Sequence, residues 1–111
     1  MKRKSLGAAA LLALTAMLPA LAFSEDDGQA AMKAYMDADH RMMTDMGMAM
    51  SGDADKDFVA MMIPHHQGAI DMAKVELQYG KDPKLRALAE AIVKAQESEI
   101  AEMKAWQQSH P

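Results

Sequence analysis

Three stretches of this chain repeat apolar residues at offsets of three and four, the period of an α-helix that buries one face. In the first, Ala30 to Met50, the residues Met32, Tyr35, Met36, Met43, Met46 and Met50 project onto one arc, with Asp39 in its middle and His40 at its edge. It stops at Ser51-Gly52, glycine being suited to the left-handed position past a helix end. The second begins at Asp53 or Asp55, either able to act as N-cap, and runs to Tyr79 before Gly80. Its arc is Val59, Met62, Ile63, Ile70 and Leu77; His66 lies inside this arc and His65 at the methionine-rich edge. Asp82-Pro83 restarts the chain as N-cap and first helical residue, and the third helix continues to about Gln108. Leu85, Leu88, Ala89, Ile92, Met103 and Trp106 form its arc, with Gln96 and Glu99 near the centre. Short connections favour antiparallel neighbours, so the expected fold is all-α: an antiparallel helical bundle with three helices in the mature chain.

Pro64 falls inside the second stretch. It has no N–H for the carbonyl of Ala60, yet Phe58, Met62, His65, Ala69 and Met72 keep one period across it. A continuous helix, kinked just before the histidines, is the expectation.

The first residues read as an address. Lys2, Arg3 and Lys4 form a basic start, Leu6 to Leu21 an apolar core, and Ala20-Leu21-Ala22 a small-residue cleavage site. Residues 1–22 are therefore expected to be a cleaved signal peptide rather than a retained anchor, residues 23–29 a flexible mature N-terminus, and residues 30–111 the bundle. The expected location is periplasmic or secreted, with no membrane attachment after cleavage. Removing the leader takes away three cations and no acid, so the formal charge moves from −4 to −7. An acidic chain of this size is unsuited to nucleic acid or anionic lipid, whose recognition rests on cationic side chains.

Composition adds a sharper signal. The chain has 13 methionines and no cysteine. Beyond residue 22 only Leu77, Leu85 and Leu88 are leucine, which is normally the commoner core residue. Without cysteine there is neither a disulfide framework nor a thiolate metal site. Thioether keeps soft-ligand character in an oxidising compartment without forming disulfides.

These residues converge on the stretch Asp57 to Ala73. On one helix Met61, His65 and Met72 fall within roughly 40° of one another, setting an imidazole between two thioethers. Imidazole suits several first-row metals, and thioether narrows the choice toward Cu(I). Each helix also turns a polar group inward, where an unpaired charge is costly and is expected to pair or to coordinate an ion. The plainer readings are a methionine-filled core, His66 hydrogen-bonded to Gln96 or Glu99, and carboxylates serving as outer partners of the histidines. Asp53, Asp55 and Asp57 read as helix-start charges rather than a calcium loop, whose glycine and bidentate glutamate are missing.

At these positions the sequence resembles a known family. The run DFVAMMIPHHQGAIDMAKVEL, the upstream MDADHRMM and the downstream AQESEIAEMKAW are similar to the bacterial domain of unknown function 305 family, over most of the chain from Tyr35 to Trp106. The resemblance implies a ferritin-like helical bundle, and exported members include a copper-binding protein. It points to His40 and Met43 in the first helix, to Met61, His65, His66 and Met72 in the second, and to Glu99 and Met103 in the third. A complete bundle of that kind has more than the three mature helices expected here.

The expected function is Cu(I) sequestration or handover rather than enzymatic turnover. Met61, His65 and Met72 form the nucleus, Met36, His40 and Met43 approach from the first helix, and Met103 with Glu99 from the third. Copper donor or acceptor proteins are the expected partners, along with a second copy of the chain, because three helices with polar groups on their inner faces make a small core. Metal-dependent enzymes are the rival class, but inward Glu-x-x-His pairs and H-E-x-x-H are missing. The same residues also suit a b-type haem bundle with His and Met axial ligands, or a structural bundle with a methionine core and no metal.

Overall fold

The structure is a computed structural model that describes residues 24–47 and 50–111, so the expected signal peptide lies outside the described residues. The described residues form three helices, α1 (Glu25–Met46), α2 (Ala54–Tyr79) and α3 (Pro83–Ser109), and no strand. The all-α expectation holds. None of these helices is long and apolar enough to cross a membrane.

Each helix starts where a side chain satisfies its free N–H groups, a contribution of about 1 kcal/mol per cap. Ser24 accepts from the Asp27 N–H at 3.1 Å, and Glu25, Asp26 and Asp27 occupy the positive end of the dipole. That cap and charge explain why α1 begins at Glu25, in a stretch without apolar periodicity that reads as a loose tail. Of the two candidates for α2, Asp53 is the cap, accepting from Asp55 and Lys56 N–H at 3.0 and 3.1 Å. Asp82 accepts from Lys84 and Leu85 N–H, both at 2.9 Å, with Pro83 in the first turn as the sequence indicates.

α1 ends at Met46 rather than Met50, with the Gly47 N–H bonded back to Met43 and Thr44 carbonyls. Gly52 does take the left-handed conformation, φ 86°, but in the connection to α2 rather than against a helix end. Asp57 holds that connection: its carboxylate accepts from the Ser51 N–H (2.7 Å), the Ser51 hydroxyl (2.8 Å) and the Gly52 N–H (3.0 Å). Those donors, the Ser51 N–H first, hold the Asp57 carboxyl below its ordinary range. α2 runs unbroken through Pro64, as its period implies. At its other end, Arg86 of α3 donates to the carbonyls of Leu77 (2.7 Å) and Gly80 (2.9 Å), placing a cation where the helix dipole favours one.

α1 and α3 each pack on α2, and the backbones of α1 and α3 do not approach one another. The molecule is thus an open bundle, a single layer with α2 in the middle. Val59, His66, Ile70 and Ala73 are buried on the flank of α2 that meets Ala89 and Ile100 of α3. Gly68 and Val75 are buried on the flank that meets α1.

The α1 contact corrects the sequence reading. The methionine arc does not face α2: Met32, Met36 and Met43 are 63%, 66% and 61% exposed, and Asp39 is exposed too. The buried residue is Ala38, at 1%, in a stripe with the half-buried Ala31, Ala34 and Met42. Small residues let two helices approach closely, and Gly68 shows how closely: a Cβ there would lie 2.5 Å from Met42 Sδ. Hydrophobicity selects the bulkier arc, whereas helix packing selects the one that permits approach. On α3, Leu85 and Leu88 are likewise exposed, at 53% and 55%, and Ile100 takes the buried place.

Candidate metal centre

His66 is the one polar residue buried in the described core, 7% exposed. It sits seven residues after Val59 and one turn before Ile70, so the packing that buries those two draws the ring into the α2–α3 seam. There its Nε2 hydrogen-bonds the Glu99 carboxylate of α3. Glu99 itself is half exposed, so a charge at the rim reaches inward to a buried ring.

Two atoms beside this pair lack hydrogen-bond partners: His66 Nδ1 and the Gln96 side-chain oxygen, both buried. An unpaired buried polar atom costs about 1–3 kcal/mol, so it calls for a reason. In the tautomer that donates Nε2–H to the carboxylate, the lone pair of the ring lies on Nδ1. A carboxylate on one imidazole nitrogen and a free lone pair on the other is how metal-ligating histidines are oriented.

The register that pairs His66 with Glu99 also sets Met62 of α2 level with Met103 of α3, one turn away, and both are half-buried. Side chains on a helix lean toward its N-terminus, so in antiparallel helices His66 and Met103 lean toward one another. Met103 also lines a cleft of about 390 Å³ with Phe58, Val59 and Trp106, together with the carboxylates of Asp55 and Glu102. Among the described residues no three of His, Asp and Glu come together, so a centre here draws on thioether or amide donors beside the imidazole.

The remaining sequence candidates are placed differently. Met61 is half-buried, His65 exposed and Met72 37% exposed, along the edge of α2 next to α1. The His65 ring meets that of His66 edge-on, with centroids 6.4 Å apart. Met36, His40 and Met43 are exposed on α1 and, within one chain, do not turn toward the histidines of α2. The structure therefore brings together His66 and Glu99, sets Met103 a turn from them, leaves Met36, His40, Met43, His65 and Met72 exposed, and keeps Met61 half-buried on the edge of α2 next to α1. Met62 belongs with the first group; its place one turn before His66, inside the α2 arc, is the signal that marks it.

The chain matches the model of a domain of unknown function, DUF305, over residues 11–107. It belongs to the DUF305 family. All the candidate ligands, from Met36 to Met103, fall within the matched region. A stretch of 49 residues is also 45% identical to an uncharacterized protein of Acanthamoeba polyphaga mimivirus. That match takes in 44% of this chain and 32% of the viral protein, so the chain spans about a third of the length of that relative. Neither description states an activity, and what this DUF305 chain does rests on its own side chains.

Proposed function

We propose that this DUF305 protein binds Cu(I) through imidazole and thioether donors and acts outside the cytoplasm in sequestration or handover of the ion. The observation that carries the reading is the buried Nδ1 of His66, whose ring is held by Glu99 through its other nitrogen and which is left without a hydrogen-bond partner. Met103 and Met62 are the nearest thioethers by register, and their flexible side chains can exchange ligands without rearranging the helices. Glu99 would orient the ring. Bound Cu(I) would supply no chemistry beyond its own affinity for soft donors, which suits a carrier. The basic start at Lys2, Arg3 and Lys4 and the apolar run at residues 6–21 support an exported location.

Competition of the purified protein against a Cu(I) chelator tests the reading. Replacing Met62 and Met103 together by leucine, which keeps the volume, is expected to weaken Cu(I) binding at least tenfold. The change His65→Ala is expected to have the smaller effect. Unchanged affinity in the double variant would remove this centre, and a larger loss in H65A would move it to the edge of α2.

A further inference from the structure

The helical layer has two unlike sides. At roughly 100° per residue, Gln67 and Lys74 leave α2 on one flank and Ala69 and Glu76 on the other. The first side has no large exposed apolar side chain among the described residues. It carries paired charges beside a cleft of about 450 Å³ walled by Ala60, Ile63, Pro64 and Ile100, where Gln67 donates to Asp71 at 3.0 Å and Arg41 reaches the same carboxylate at 3.6 Å. The second side is apolar and open. Met32, Met36 and Met43 of α1, Met72 of α2, and Leu85 and Leu88 of α3 are 37–66% exposed. Tyr35 and Glu76 stand at one end of a groove of about 300 Å³, with Leu85 and Leu88 as its far wall. Burial, then the Glu76 charge, holds the Tyr35 phenol above its ordinary value.

We propose that two copies of this chain associate through the apolar side of the layer, each supplying the second layer that the other lacks. Helical domains bury an apolar face against another element, and neither α1 nor α3 covers this one. The surface is self-complementary: it carries a groove between Tyr35 and Leu88 and, on the outer edge of α1, a methionine ridge able to enter the groove of a partner. A two-fold arrangement uses both features twice and closes on itself. Together with Tyr35 and Phe58, these side chains expose on the order of 700 Å², taking roughly 150–200 Å² for each, half uncovered. That compares with about 800 Å² buried per partner in a standard interface. Face-to-face packing would also cover His65, at the middle of α2, and the α1 methionines that one chain leaves in solvent. The inference rests on the fold alone and does not depend on copper.

Sedimentation equilibrium in chelator-containing buffer tests it, on protein purified after expression of the full chain so that residues 1–22 are processed naturally. The expected result is the mass of two chains. Leu88→Glu, at an exposed position where the helix tolerates it, should give the mass of one chain with helical content retained. Lys74→Glu, on the polar side, should leave two. A single-chain mass for the parent protein overturns the proposal, whether the groove is empty or filled by residues 6–21 of the same chain, and so does any assembly larger than two. Leu88→Glu sedimenting like the parent overturns the choice of face. Because the measurement excludes metal, its failure leaves the copper reading untouched.

Discussion

Replacing His66 by leucine separates what this ring does for the fold from what it does for a metal. In the metal-free chain the loss is one hydrogen bond to Glu99. The Glu99 side chain is 55% exposed and can return to water, so that bond counts for about 1 kcal/mol rather than the larger value of a fully buried charged pair. On the other side, leucine removes the unpaired Nδ1, which costs about 1–3 kcal/mol. It also puts apolar surface in a site only 7% exposed, a gain of about 1 kcal/mol beyond what the imidazole carbons provide. The balance is a metal-free variant more stable than its parent by roughly 1–3 kcal/mol, the sum of these terms. At about 4–8 °C per kcal/mol for a domain of this size, that raises the thermal midpoint by roughly 4–24 °C. Urea and thermal unfolding followed by circular dichroism, at matched protein concentration in chelator, read the first quantity, and Cu(I) competition reads the second, where at least a tenfold loss is expected. A less stable variant with unchanged Cu(I) affinity would refute the reasoning and make the His66–Glu99 pair an ordinary structural hydrogen bond.

Two further outcomes follow from the packing. Gly68→Ala gains about 1 kcal/mol in helix propensity, but the new methyl meets Met42 Sδ, Cγ and Cβ at 2.5, 2.9 and 3.0 Å. Since Cβ moves only with the α1 backbone, overpacking of about 1–3 kcal/mol should outweigh the gain. Urea unfolding should show net destabilisation that Met42→Ala partly rescues, and a more stable single variant would show that α1 can shift freely. Asp57 has a carboxyl held below its ordinary range, so its contribution is complete above about pH 4 and fades as pH falls through the lowered value. Asp57→Asn should therefore lower the thermal midpoint at neutral pH and flatten its decline in acid; parallel curves for the two proteins would exclude Asp57 as the clamp on residues 51 and 52.

How much was legible in the sequence depended on the kind of signal. The spans of α2 and α3 were readable because Asp53 and Asp82-Pro83 are local caps, and the burial of His66 because its neighbours Val59, Ile63 and Ile70 share one arc. The same projection narrowed the partner of His66 to Gln96 or Glu99, and the packing of α3 on α2 decides for Glu99. The start of α1 was not, since Ser24 and three acids make a helix end without any periodicity. Nor was the face of α1. A hydrophobic projection weights methionine over alanine, while contact is decided by how near two backbones can come, and Met42 finds Gly68 only in a register that no single helix encodes. That register also decides which candidate ligands meet: Met103 is brought level with Met62, and Met36 and Met43 are carried past the histidines on an outer surface.

Because the backbones of the two outer helices do not meet, detaching α1 leaves the backbone seat of α3 on α2 in place. The imidazole and its carboxylate partner belong to the α2–α3 hairpin, so fraying that begins at Glu25 would carry away Met36, His40 and Met43 before it disturbed them. Any ion held in that seam would stay with the α2–α3 hairpin when α1 leaves.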